Sequence, residues 1–566
     1  MRSFRNETGL YLLALIIGLS VRLVGLGSPA LSDQEAKWAL QALETARGTR
    51  AALGSNSAYV VLTSMIFFAF GGASNALARM IPALVGSALI LVPRLFAQQL
   101  KPRPALILAF ALAFEPGLAA LSRQAGSAIM VVTFALAAWG LWEKRQPQWA
   151  GVCAGMALLS GPALWPGLLG TAITWALLRP LERERGRDVP RQAGAQESRR
   201  KDVPTAGFYA AGVIVLIGTM FMSVPAGLGA WIAGLPEYVA GWRRASDTSI
   251  GVMLASLIAY QPLGVLLALI ATVRGWIQRS VRVRRLSTWM VVALLVAIFM
   301  PAREVTDLAW MLIPLWSLAS LEAARQLNIG PADRREVLGA VALTSVILVF
   351  AWLDYLALLR PGMALDQIAL RTWLLGGSLF LLAVSLLLVG VGWSVRAARH
   401  GAVWGLAAVL GVYSFGALMA AVGHRVVPNA VEMWRAGAQL PMADLVLETV
   451  QEQSAWGDRD PNAYPLVIVG VDSPALQWLL RDRPVDVRSE VLAAASPEMV
   501  ITADEQDAAL VSSYRGQSFV WRSVPLWGSF RLREWLPFHE MAQQPETVIL
   551  WVRGDLFPDT KPRTTP

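Results

Sequence analysis

From residue 9 onward the chain returns repeatedly to long apolar runs, and a run of that kind leaves few ways to fold. About twenty residues rising ~1.5 Å each cross the ~30 Å hydrocarbon core of a bilayer. No water is available there, so every backbone N–H and C=O must be paired within the segment, which selects the α-helix. Thirteen segments fit: residues 9–26, 77–96, 104–121, 127–141, 149–159, 164–178, 208–224, 251–273, 288–300, 308–323, 338–358, 373–393 and 402–422. The remaining composition agrees, with 55% hydrophobic residues and only 16% charged, where a soluble globule carries about a quarter. The expected fold class is a polytopic α-helical membrane protein.

The formal charge of +10 suggests nucleic acid until its position is considered. "KPRP" at Lys101, "EKRQPQ" around Lys144, the long basic stretch from Arg179, "RGWIQRSVRVRR" from Arg274, the stretch from Arg325 and "SVRAARH" from Ser394 all fall on one side under the thirteen-span count. That is the positive-inside pattern, and it places the N-terminus in the cytoplasm. No nucleic-acid motif is present. The first run follows Arg2 and Arg5 but contains Arg22 and lacks a clear cleavage site, so it reads as a retained anchor. The single cysteine, Cys153, lies in an apolar run and excludes an intramolecular disulfide framework. "AYVVLTSMIFFAFGG" from Ala58 is apolar but short, and reads as a helix on or dipping into the outer face.

Two outer loops stand out, residues 27–76 and 225–250 of a transmembrane domain over 1–423. In the first, "SDQEAKWALQALETARG" sets Asp33 and Glu35 beside a membrane span. Ala36, Ala39, Leu40, Leu43 and Ala46 recur at helical spacing, which predicts an interfacial helix capped by Ser32 or Asp33. Past residue 424 the apolar runs shorten to strand length in "PLVIVGV", "PEMVIT", "QSFVWRSV" and "ETVILWVR", with helical stretches at 442–453 and 474–480 between them. Residues 424–566 are therefore expected to form an extracytoplasmic α/β domain.

A first span ending "RLVGL", the acidic loop with "ALQA", "NALARMIPALVGSALILVPRLFAQQL", "LAFEPGLAALSRQAG" and "AGVCAGMALLSGPALWPGLL" follow one another in an order that resembles the GT-C superfamily of membrane glycosyltransferases. The likeness is to its protein O-mannosyltransferase-like and aminoarabinose-transferase-like members. "IAYQPL", "PALQWLLRD" and "VILWVRGDL" are most similar to a subfamily associated with flippase activity. The resemblance implies transfer of a sugar from a polyprenyl-phosphate donor to a protein, lipid or glycan acceptor at the outer face of the cell membrane, with no nucleic acid involved. The other reading is a non-catalytic GT-C-like protein assisting lipid-linked glycan assembly or translocation.

Such chemistry requires a base for the acceptor and cations for the leaving phosphate. The resemblance implies Asp33 and Glu35 as catalytic candidates and Arg123, Arg243, Arg244 and Arg79 as donor-phosphate candidates. Glu115, inside the third span, is a candidate cavity residue. No metal motif is present, and the resemblance leaves a divalent ion open, because some relatives use one and others do not. Three positions depart from the family pattern: Gln34 where Asp is common, Gly161 where a Lys is expected, and Gln261 where Glu often precedes Pro.

Overall fold

The computed structural model describes residues 2–49, 53–185, 193–327, 334–360, 362–424, 430–435, 437–455, 464–488, 496–503 and 512–557. Part of the basic stretch from Arg179 and part of that from Arg325 lie outside them. The fold is a helical bundle followed by a sheet domain.

Among the described residues four helices are long and apolar enough to cross a membrane: Asn75–Leu95, Arg334–Leu358, Leu365–Gly392 and Val395–Ala421. There are six if each of two bent pairs counts as one span. The difference from the thirteen expected spans arises because several apolar runs fold as short or broken helices. The run over 104–121 is two helices, Pro102–Phe114 and Pro116–Ser122, bent by 59°, and that over 251–273 is Ile250–Tyr260 and Pro262–Ile277, bent by 95°. The segment from Ala58 is a thirteen-residue helix, Ser57–Ala69. Leu365–Gly392 leaves nearly its whole apolar surface uncovered by protein, as expected of a helix solvated by lipid.

Each break falls before a proline, which has no N–H to give the carbonyl four residues back. At the first break that carbonyl belongs to Leu112, and the Arg22 Nη2 group donates to it at 3.1 Å. Arg22 Nη1 serves Ala113 O at 3.3 Å and Gly18 O at 3.1 Å, and Nε serves Ser122 Oγ at 3.1 Å. The new helix needs partners for its first N–H groups, and the Glu115 carboxylate accepts from Gly117 N at 3.1 Å and from Leu118 N. Arg22 and Glu115 are both fully buried and thereby join the two halves of a broken span. Glu115 is thus a helix cap and not the cavity residue expected. Gln261, at the second break, donates Nε2 to Glu115 Oε1 at 2.6 Å. A glutamate there would set two carboxylates against each other.

The C-terminal domain is a five-stranded sheet in the order β2-β1-β3-β5-β4, with β1 at Leu466–Val469, β2 at Val485–Arg488, β3 at Met499–Ala503, β4 at Tyr514–Pro525 and β5 at Gln543–Arg553. β1 pairs in parallel with β2 and β3, whereas β5 runs antiparallel to β3 and β4. The four strands expected are present; β2, with the polar sequence VDVR, was not foreseen. The domain docks on the acidic-loop side of the bundle. Trp478 Nε1 donates to Asn75 Oδ1 at 2.8 Å, Arg481 Nη2 donates to Ala73 O at 2.9 Å, and Trp478 packs against Phe67. A connecting segment carries Glu432, which accepts from Tyr260 OH at 2.5 Å and pairs with His539 Nδ1 at 2.7 Å, so the second helix break and the sheet domain share one carboxylate.

Arg22→Leu should strip several buried carbonyls of their donor at about 1–3 kcal/mol each. We expect a loss of more than about 3 kcal/mol, visible as a lowered midpoint of thermal unfolding in detergent, with Arg22→Lys recovering only part because one ammonium cannot span the same acceptors.

Candidate functional site

Five segments from the sheet-domain side of the bundle enclose a cleft of ≈ 250 Å³. They are the acidic-loop helix Asp33–Arg47, the turn after Arg123, the loop around Ser160, the end of helix Ala230–Gly241 with Arg244, and residues 300–307. The acidic-loop helix starts with a capping box: Glu35 N donates to Ser32 Oγ at 3.4 Å and Ser32 N donates to Glu35 Oε2 at 3.1 Å. Its small-residue face lies on the Ser57–Ala69 helix and on Pro474–Leu479 of the sheet domain, so it is packed against protein where an interfacial helix was expected.

Glu35 is buried at the edge of the cleft and bonded on both oxygens. Arg79 Nε reaches Oε1 at 2.7 Å and Nη2 reaches Oε2 at 2.8 Å, while Ala125 N donates to Oε1 at 3.0 Å. Burial alone would raise its pKa, but the Arg79 guanidinium and the N–H donors outweigh that and hold the carboxyl below its ordinary value. The rest of Arg79 is spent on backbone: Nη1 on Leu26 O and Pro29 O at 3.2 and 2.8 Å, and Nη2 on Ala30 O at 3.1 Å. Arg123 likewise caps the end of the first helix, donating to the carbonyls of Val21, Arg22, Val24 and Gly25. Neither arginine presents a hydrogen-bonding edge to the cleft.

Asp33 faces away from the cleft. Its Oδ1 accepts from Ser473 Oγ at 2.6 Å and Ala475 N at 3.0 Å, and its Oδ2 pairs with Arg522 at 2.8 Å, which latches the loop to the sheet domain. Of the acidic-loop side chains it is Gln34 that is exposed in the cleft. Arg244 is exposed in its wall, and Arg243, also exposed, is not among the lining residues. Gly161 adopts φ +118°, and a β-carbon there would meet Asn56 Oδ1 at 2.1 Å, so the position admits no lysine without moving the cleft wall.

Besides Glu35, three carboxylates that were not candidates from the sequence line the cleft: Glu237, in the second outer loop, and Glu304 and Asp307. Glu237 Oε2 accepts from Ser55 Oγ at 2.6 Å. Asp307 Oδ2 accepts from Glu304 N at 2.8 Å, and Thr306 Oγ1 donates to Glu304 Oε2 at 3.0 Å. Asp307 keeps one edge open to the cleft while protein surrounds the rest of it. That burial pushes its carboxyl up to about 7, and the neighbouring Glu304 charge adds to the rise against the lowering by the Glu304 N–H. Only acidic residues in the loop before a span marked this pair, and such loops commonly carry caps. Among the described residues no three His, Cys, Asp or Glu side chains gather closely enough to hold a metal ion.

No family model and no curated protein sequence matches the chain. Among solved structures, ArnT from Cupriavidus metallidurans bound to undecaprenyl phosphate is similar at TM-score 0.51 and 13% identity, covering 96% of this chain and 98% of that one. The same protein in the apo state gives TM-score 0.51 and 14% identity over 96% and 98%. The oligosaccharyltransferase AglB from Archaeoglobus fulgidus, in complex with an inhibitory peptide and a dolichol-phosphate, superposes at TM-score 0.45 and 10% identity over 88% of this chain and 69% of that one. The likeness to ArnT runs almost end to end and shows that the two chains share a fold.

Glu35→Gln removes the charge that Arg79 needs while burying the cation. A loss of about 3–5 kcal/mol is expected in thermal unfolding, and Glu35→Leu with Arg79→Met should recover part of it. Because the folded pKa of Glu35 is lowered, its contribution is present above the ordinary carboxylate pKa and disappears as pH falls through the folded value.

Proposed function

We propose that this chain is a polytopic cell-membrane glycosyltransferase that moves a hexosyl or pentosyl group from a polyprenyl-phosphate donor to a protein, lipid or glycan acceptor at the outer face. The observation that carries this reading is the cleft at the acidic loop of a GT-C fold, the fold of an ArnT that binds undecaprenyl phosphate. The basic loops support an N-terminus in the cytoplasm, about thirteen passes and an extracytoplasmic sheet domain over residues 424–566.

Asp307 acts as the general base. A carboxyl with a pKa near 7 is a stronger proton acceptor than an ordinary one and is still half ionised at neutral pH. The acceptor's hydroxyl or amine gives its proton to Asp307 as its oxygen or nitrogen bonds to the anomeric carbon. The bond from that carbon to the phosphate oxygen breaks, and the electron pair leaves with the polyprenyl phosphate. Arg244, exposed in the same cleft, meets that charge. Gln34 and Glu237 serve as hydrogen-bonding groups for sugar hydroxyls. Glu35 and Asp33 act through position: the first fixes the loop to Arg79, the second fixes it to the sheet domain.

The test is transfer of labelled sugar from a panel of polyprenyl-phosphate donors by the purified protein. Asp307→Asn should lower kcat by about 10²-fold or more with little change in KM, and Arg244→Gln should weaken donor use. In the wild type the rate should fall as pH drops below about 7, since the base works only when deprotonated. Unchanged transfer in Asp307→Asn would remove this residue from the reaction. No transfer by the wild type across the panel would leave the non-catalytic reading.

A further inference from the structure

At the opposite end of the bundle, three helices end around a second cavity: Pro262–Ile277, Ala309–Gln326 and the start of Val395–Ala421. It measures ≈ 700 Å³. Arg274, Arg325, Arg396 and Arg399 line it, and Glu322 is the only carboxylate among its lining residues. Glu322 is already matched by Arg274 at 2.9 Å, whereas Arg325 and Arg399 have no carboxylate partner among the described residues. Arg396, Arg399, His400 and Val403 follow the i, i+3, i+4, i+7 spacing of one helix face, on the first turns where the helix dipole is positive. His400 is 7% exposed, and its Nδ1 has no hydrogen-bond partner. A buried ring nitrogen left unpaired in a cavity edged with arginines indicates a missing polar ligand.

The cavity is apolar below the charges, at Leu267, Ile270 and Val403. It adjoins a groove of ≈ 450 Å³ along the Pro262–Ile277 helix that shares Ile270, Arg274 and Gln278 with it and continues over Leu269, Val273 and Ile277. The groove residues are strongly exposed, Ile277 at 77% and Val273 at 61%. A charged pocket joined to an apolar track has the shape of a phospholipid, with its phosphate at the arginines and one acyl chain along the helix. A free anion would have no use for the track.

We propose that this cavity is a binding site for the headgroup of an anionic phospholipid in the leaflet opposite the sheet domain. Arg325 and Arg399 contact the phosphate, His400 Nδ1–H donates to a headgroup oxygen, and the Leu269–Ile277 groove holds an acyl chain. The site needs no transfer reaction and stands apart from the cleft at the acidic loop.

The experiment titrates the purified full-length protein in neutral detergent with phosphatidylglycerol, with phosphatidylcholine of the same chains and with inorganic phosphate. Retained lipid is read by native mass spectrometry and the thermal midpoint is followed in parallel. Phosphatidylglycerol should be retained and raise the midpoint, while the other two leave it unchanged. Arg325→Gln with Arg399→Gln should weaken retention by about fivefold for each arginine removed, and His400→Leu should weaken it without the loss of a formal charge. Arg533→Gln, on the sheet domain, should bind as the wild type does. The midpoint of each variant without lipid separates loss of binding from loss of folding. Equal retention of phosphatidylcholine, or unaltered retention in both the double variant and His400→Leu, would overturn the site. Stabilisation by inorganic phosphate alone would make it a small-anion pocket and overturn the lipid assignment.

Discussion

The buried pair of Glu35 and Arg79 is the contact on which the cleft depends. One guanidinium holds the carboxylate through two nitrogens and gives its remaining donors to the carbonyls of Leu26, Pro29 and Ala30. The same carboxylate accepts from Ser32 and Ala125. The exit of the first helix, the start of the acidic-loop helix, the Asn75–Ala88 helix and the turn before the Ile129–Glu143 helix are therefore fixed to a single ion pair. A buried pair gains little net stability over an apolar contact of the same size, because both ions have lost their water. What it contributes here is geometry, since four chain segments are held in one register by directional bonds.

A second set of polar contacts makes the broken helices tenable. Arg22, Glu115 and Gln261 lie deep in the bundle, where a charge without partners would be expensive. Arg22 serves the carbonyl that Pro116 releases, Glu115 takes the first N–H groups of the new helix, and Gln261 holds Glu115 in turn, so the backbone at the first break is satisfied inside the protein. Tyr260, next to Gln261, passes the connection to Glu432 and from there to His539, so the geometry of the second break is tied to the sheet domain. The cleft has Glu35 at its edge, and the turn after Arg123, which follows the first break, forms part of its wall.

The acidic loop shows how one motif can be divided among different tasks. Asp33, Gln34 and Glu35 are consecutive, yet they point to the sheet domain, the cleft and Arg79 respectively. Neighbouring residues at the start of a helix are about 100° apart around its axis, so three in a row cannot share one target. The other carboxylates of the cleft come from the Ala230–Gly241 helix, with Glu237, and from residues 300–307, with Glu304 and Asp307.

The sequence by itself determined the class of the protein, its helical membrane character, the sheet domain with four of its five strands, and a capped helix start at Ser32 or Asp33, because apolar run length, alternation and capping chemistry act over a few residues; the structure puts the cap at Ser32. The acidic loop that the sequence marked lies at a cleft, with Gln34 and Glu35 among the lining residues. The sequence could not decide that the runs over 104–121 and 251–273 bend at their internal prolines, because at the first of them the bend depends on a distant side chain, Arg22, reaching the carbonyl that Pro116 releases. Nor could it decide which carboxylate faces the cleft. Asp33 is claimed by Arg522, Ser473 and Ala475, all more than four hundred residues away, and Arg79 and Arg123 are claimed by backbone carbonyls. A side chain's role is set by the partners within about 3 Å of it, and for this chain those partners come from distant segments that only the folded bundle brings together.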